Sequence, residues 1–364
     1  ARLTTAPRSH YWGKYLESLL NSCPMSVTNH DRQVATWLLI CCALVFMMVV
    51  LGGVTRLTGS GLSMAEWRPI MGALPPLNAA EWQRIFEIYQ QTPEFQLVNS
   101  HMDVNDFKGI FWLEYLHRLL GRVIGLAFAL PLVYFAVRGA IRPRQLPWYL
   151  FLFALGGAQA FIGKIMVASG QVDAPQVSHF KLTAHLGAAF LVYALMLWTA
   201  LNLLFKPTGS RNHPAYRGTV ALTVLVSVTI LSGGLVAGLD AGKIYNMFPM
   251  MGDSLVPPGL LALEPAWRNV FFNLTTVQFD HRVLAITTLV LAIVVYASLR
   301  KDLPARARPA RHALLVTVVA QVTLGISTLL LAVPTALAAA HQAVALVLLT
   351  IALYLVHSLR KIPM

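Results

Sequence analysis

The sequence predicts an all-α integral membrane protein: eight transmembrane helices built as two four-helix bundles related by a pseudo-two-fold axis, with both termini on the cytoplasmic or matrix side. Three observations predict it. Of 364 residues, 57% are hydrophobic and only 12% charged, and the mean hydropathy is +0.62, outside the range of a soluble domain. Eight apolar runs are each long enough to cross a bilayer, which takes about 20 residues. The second half of the chain also repeats motifs of the first. A soluble enzyme with one anchor is thereby excluded.

Residues 1–35 form a basic inside tail. Its start, ARLTTAPRSHYWGK, has no acid before Glu17, which fits either the end of an organellar targeting segment or an ordinary basic tail. The runs then fall at 36–55, 110–137, 148–168, 183–205, 219–239, 277–299, 313–333 and 338–358. Cys41 and Cys42 are neighbours inside the first run and badly placed to pair; with Cys23 in the tail they give no disulfide framework. Two outer connections, 56–109 and 240–276, are rich in Trp, Pro and Phe and are expected to pack as lids. Within the first, NAAEWQRIFEIYQQTPEF reads as a short amphipathic helix after Pro75 and Pro76 that stops before Pro93. The halves are 36–205 and 219–358, joined by an inside linker 206–218 and followed by an inside tail 359–364.

Charge sets the orientation. Net charge is +13, which in a soluble chain would suggest nucleic acid, but the Lys and Arg residues collect on alternate sides of the spans. Arg138, Arg142 and Arg144, then Lys206, Arg211 and Arg217, then Arg300, Lys301, Arg306, Arg308 and Arg311, and finally Arg360 and Lys361 lie on the side of the N-terminal tail. Most of the acids lie on the other side. Positive charge therefore marks the inside, and no nucleic-acid partner is expected.

The repeat is specific. LGGVTRLTGSGLSMAEWRPIMGALPP from Leu51 matches SGGLVAGLDAGKIYNMFPMMGDSLVPP from Ser232 in its Gly pair, a later Gly, a Met-Gly and a Pro pair. LHR at 116–118 meets DHR at 280–282, AQAFIG at 158–163 meets AQVTLG at 320–325, and TAHLGAA at 183–189 meets AAHQAVA at 339–345. An even number of helices per repeat makes both halves enter from the same side, related by an axis along the membrane normal.

Of eleven histidines, His117, His185, His281 and His341 fall on the four even-numbered spans, each within about one to two turns of the outer end of its apolar run. Ionisable groups inside spans are functional candidates by default, and four at equivalent repeat positions favour ligands over helix-to-helix hydrogen bonds. Two imidazoles from facing helices, without thiolates, suit an octahedral iron held axially in a porphyrin; tetrahedral zinc would want further ligands close by. Pairing His117 with His185 and His281 with His341 gives room for two haems, one in each bundle.

Glu114 precedes His117 by one turn, so carboxylate and imidazole can reach one pocket, whereas the repeat counterpart is Gln278, which cannot ionise. An acid present in one half only suits acid-base chemistry or cation stabilisation better than packing; the bland alternative is a salt bridge to Arg118 or Arg122. Arg118, Arg122 and Arg282 suit haem propionates, with pairing to Glu114 and Asp280 an equal alternative. Lys164 reads as a snorkelling side chain.

EYLHR, GGVTRLTGSGLSMAEWRP, TAHLG, AGLDAGKIYNMFPMMG, QFDHR and AAHQ together resemble the haem A synthase family over about residues 34–360. The resemblance implies an oxidoreductase that converts a ring methyl of haem O to a formyl group by successive hydroxylations, giving haem A for terminal oxidases. It implies that His281 and His341 hold a haem b cofactor, that His117 and His185 bind the substrate haem, and that Glu114 is the essential glutamate. One branch of the family carries a cysteine pair in the first outer loop. This chain has none there and looks like the branch of mitochondria and their bacterial relatives, so a thiol-disulfide step is not expected.

Implied partners are haem O and the haem O synthase that supplies it, an electron donor the sequence does not name, the lipid bilayer, and further copies of the chain in a homo-oligomer. The implied location is the bacterial cytoplasmic membrane or the mitochondrial inner membrane. Two rivals predict different contents: a di-haem electron-transfer protein would hold two similar haem b groups, and a haem transporter would need an exit path and no redox partner.

Overall fold

The computed structural model describes residues 27–66, 74–171, 175–206, 211–300 and 303–360. The targeting-like segment with Cys23, part of the first lid at 67–73, and Lys301, Asp302 and Lys361 lie outside the described residues.

Eight helices are long and apolar enough to cross a membrane: Asn29–Leu57, Val104–Val137, Leu146–Ala168, His179–Leu204, Tyr216–Gly238, Leu274–Ser298, Ala307–Leu330 and Thr335–Ser358. They are numbered here as spans one to eight. Their number is as the sequence predicts, but several begin a turn or more before the apolar run. Polar capping extends them outward, which a hydropathy window does not register. Thr28 and Asp31 form a capping box on the first span, Asp103 and Asp106 on the second, and Asn273 accepts from Thr275 and Thr276 on the sixth. His117 consequently lies more than three turns from the start of its helix, whereas His185, His281 and His341 lie within about two.

Neighbouring spans close into two rings. In the first half, the order of contact runs one, two, three, four and back to one; in the second it runs five, six, seven, eight and back to five. Spans one, four, five and eight are central, where one meets eight and four meets both five and eight. The core follows this arrangement, with Leu38 and Cys41 on the first span, Met196 and Ala200 on the fourth, Leu222 on the fifth and Leu346 and Ala352 on the eighth all nearly or fully buried. At the end of the spans nearer the four histidines Arg56 closes the seam by donating to Ala237 O and to Asp240 Oδ1, the latter at 3.1 Å.

Pro131 sits inside the second span and cannot donate to the carbonyl of Ala127. Trp37 Nε1 donates to that oxygen instead, at 2.9 Å, with Cys41 Sγ at 3.8 Å. A buried carbonyl left bare would cost about 1–3 kcal/mol, so this cross-helix bond ties the first two spans together. A lipid-facing groove of about 640 Å³ opens there, lined by Trp37, Ile40, Pro131 and Tyr134 among others, toward the opposite end of the spans from the histidines.

Both long connections pack against the spans. The amphipathic segment forms the lid helix Ala79–Gln90, capped by Asn78, and Phe86 and Tyr89 bury against Phe107 and Phe111 of the second span. In the second connection Asn269 is fully buried and holds Leu263 O at 2.7 Å, while Asn273 Nδ2 reaches Gly259 O at 2.7 Å.

Candidate functional site

Each of the four histidines lies against a glycine of the preceding span. A Cβ built on Gly52 would stand 2.9 Å from His117 Nε2, one on Gly163 3.3 Å from His185 Cε1, one on Gly233 3.1 Å from His281 Cε1, and one on Gly325 2.9 Å from His341 Cε1. These are the glycines that the two repeat motifs share, LGG with SGG and FIG with TLG. The second glycine of each Gly pair faces the other half: a Cβ on Gly53 would stand 2.6 Å from Gln342 Oε1 and one on Gly234 3.1 Å from Thr183 Oγ1. Glycine is therefore needed for space at these positions, first for an imidazole and then for the seam between halves. The sequence displays the glycines, but their purpose appears only when the histidines are seen against them.

The imidazoles pair within halves. His117 lies within electrostatic reach of His185, and His281 of His341. Among the described residues no group of three or more His, Cys, Asp or Glu gathers to hold a bare metal ion. The pair of imidazoles in each ring of spans, each flanked by a glycine that clears one side, would suit holding the iron of a planar macrocycle.

The halves differ in what orients these rings. His281 Nδ1 is 2.7 Å from Ser232 Oγ, and His341 Nδ1 is 3.2 Å from Gln321 O. Such bonds fix the tautomer and, in His281, leave Nε2 for a metal; His341 Nε2 also lies 3.4 Å from Gln321 Nε2. In the first half His185 Nδ1 has no hydrogen-bond partner, and among the described residues no hydrogen bond orients His117. What the first half has instead is Glu114, 3% exposed. Ser63 Oγ and the backbone N–H of Met64 both donate to its Oε2 at 2.8 Å, and Arg118 Nη2 donates to its Oε1. Charge-assisted bonds of this kind hold a carboxylate rigidly in a poorly solvated place.

The loop that follows the first span of each half supplies the second wall, at the same offset from the paired glycines. Arg118 Nη2 donates to Met64 O at 3.0 Å, and Arg282 Nη2 donates to Tyr245 O at 2.9 Å. The residue one turn before His117 and before His281 meets the same stretch with opposite polarity: Glu114 accepts from Met64 N, whereas Gln278 Nε2 donates to Tyr245 O at 3.2 Å. Sequence reasoning found Glu114, Gln278, Arg118 and Arg282 but not Ser63 or the backbone of Met64. The SGLSM string was visible without its target.

Of the two alternatives for the arginines, the structure places Arg118 on Glu114, while Arg282 is held by the carbonyls of Tyr245, Met247 and Met250 and forms no ion pair with Asp280 among the described residues. Arg122 follows Arg118 by one turn of the same helix. Lys164 is exposed on the third span.

A model of the cytochrome oxidase assembly protein family, COX15-CtaA, matches residues 35–353, which takes in all four histidines, Glu114 and both loop motifs. The chain belongs to this family. Among its curated relatives, "Heme A synthase" of Nitrosospira multiformis is 51% identical over 337 residues, covering 91% of this chain and 94% of the relative. "Heme A synthase" of Paramagnetospirillum magneticum is 49% identical over 336 residues, covering 91% and 94%. The human "Heme A synthase COX15" is 45% identical over 347 residues, covering 92% of this chain and 84% of its own length.

Proposed function

We propose that the chain is a haem A synthase of the bacterial cytoplasmic or mitochondrial inner membrane, an oxidoreductase that turns a ring methyl of haem O into the formyl group of haem A. The observation that carries it is an acid placed in one of two similar histidine frames and replaced by an amide in the other: Glu114 beside the first pair, Gln278 beside the second. Its family membership and its relatives' names point the same way.

In this reading residues 36–205 form the substrate half and 219–358 the cofactor half. His117 and His185 bind haem O, and His281 and His341 hold haem b, which when bound supplies a redox-active iron for electron passage. Hydrogen bonds already orient both second-half imidazoles, as suits a resident cofactor, whereas among the described residues the first pair has none, as suits a haem that must enter and leave. Glu114 keeps Oε1 on Arg118 and Oε2 on Ser63 and Met64 N–H, so it can hold negative charge beside a developing cation or take a proton at Oε2 as the Ser63 hydroxyl turns away. Arg118 and Arg122 on one side and Arg282 on the other supply positive charge for propionates. A haem O synthase that hands over substrate, an electron donor and self-association complete the partners this function calls for.

The test is pigment content. Haems extracted from detergent-purified protein and identified by mass are expected to be haem b together with haem O, haem A or a hydroxylated form. Two equivalents of haem b alone would make the chain a di-haem electron-transfer protein, and no haem at all would overturn the histidine assignment.

A further inference from the structure

The first lid carries a buried carboxyl that the proposed chemistry does not use. Glu94, just past the lid helix, is 7% exposed, and Tyr89, fully buried, donates its hydroxyl to Glu94 Oε2 at 3.2 Å. Asn99 Nδ2 donates in turn to the Tyr89 oxygen at 2.8 Å. Tyr89 stacks on Phe107 with ring centroids 4.9 Å apart. Phe107, Phe111 and Glu114 follow one another along one face of the second span, which places Glu114 about 10 Å deeper than Phe107. Both Tyr89 and Glu94 lie within electrostatic reach of Glu114.

Two carboxylates in one poorly solvated neighbourhood resist ionising together. Arg118 is bonded to Glu114. Among the described residues, the titratable groups that act on Glu94 are Tyr89 from the lid helix and Glu114 from the second span, and neither offers it positive charge. These surroundings favour the neutral form of Glu94.

We propose that Glu94 is a positioning residue for Glu114: by keeping its own proton under the lid it leaves the Glu114–Arg118 pair undisturbed, and on losing that proton it sets a second negative charge beside Glu114. This rests on the assignment of Glu114 to the reaction. Burial first, and Glu114 after it, push the Glu94 carboxyl up to about 7 from an ordinary 4.5, against the Tyr89 hydrogen bond, which lowers it. A raised carboxyl favours the folded lid while protonated. Its contribution to lid packing is therefore full below about pH 4.5 and is lost as pH rises through about 7.

The full chain in lipid nanodiscs tests this by infrared titration of protonated-carboxyl absorbance, with Glu94→Gln subtracted to isolate Glu94. A midpoint near pH 7 is expected. In Glu114→Gln it moves to lower pH because the neighbouring negative charge is gone, and in Tyr89→Phe it moves to higher pH because the carboxylate loses its donor. A Glu94 that titrates like an exposed carboxylate, or a midpoint that Glu114→Gln leaves in place, overturns the proposal. Neither titration needs turnover. Failure of the synthase assignment would show as missing haem O and haem A with the shifts intact, whereas failure of this proposal would show as absent shifts with normal pigments.

Discussion

The two halves share a frame and differ in the residue one turn before the first histidine of each half and in how the imidazoles are braced. Each ring of four spans sets two histidines against two glycines, and each places an arginine directly after one histidine, bonded to a carbonyl of the following loop. In the first half the loop then turns a hydroxyl and an N–H onto Glu114; in the second it turns a carbonyl onto Gln278. The imidazoles are braced in the opposite sense, by Ser232 and Gln321 in the second half and by no hydrogen bond among the described residues in the first. In the assignment proposed above, the second half is the rigid holder of a group, and the first half has a charge and looser ligands. The lids follow the same division, since only the first carries a buried acid within reach of its half's polar group.

Substitutions can break this contrast one term at a time. Glu114→Gln makes the first half resemble the second. Haem content should persist while the ratio of haem A to haem O in membranes falls by roughly 100-fold or more, the usual scale for losing a positioned acid or base. Gln278→Glu is the mirror change and should not confer conversion on the second half in a Glu114→Gln background. Ser232→Ala removes the brace on His281 and should weaken haem b retention by roughly 10- to 100-fold, measured by the pyridine haemochrome of purified protein, with haem O binding retained. Gly325→Ala and Gly52→Ala each push a Cβ into an imidazole, which in a packed interior costs about 1–3 kcal/mol. Partial loss of haem b should follow from the first and partial loss of haem O and haem A from the second, read by extracted-pigment ratios.

Much of this was legible in the sequence because membranes impose simple rules. Eight apolar runs gave eight spans, and four histidines at matched repeat positions gave two pairs. The helix starts were not legible, because Thr28, Asp31, Asp103 and Asp106 are polar residues that extend a helix by capping rather than by hydropathy. The surroundings of Glu114 were also hidden. Ser63 lies 51 positions away in sequence, and nothing local to either residue announces that a loop hydroxyl will meet a helix carboxylate. Nor could spacing choose between propionate and Glu114 as the partner of Arg118, since both need only a guanidinium one turn on. The glycines were visible as a repeated string, but a missing side chain has meaning only beside the group that fills its space.

The division of labour is tested most directly by comparing the pigments of purified His185→Ala and His341→Ala, each haem identified by mass. Separate substrate and cofactor halves require that His341→Ala lose haem b while keeping haem O, and that His185→Ala keep haem b while losing haem O and haem A. If both variants lose the same haem in equal measure, the two halves are equivalent and the assignment of Glu114 to a substrate site falls with them.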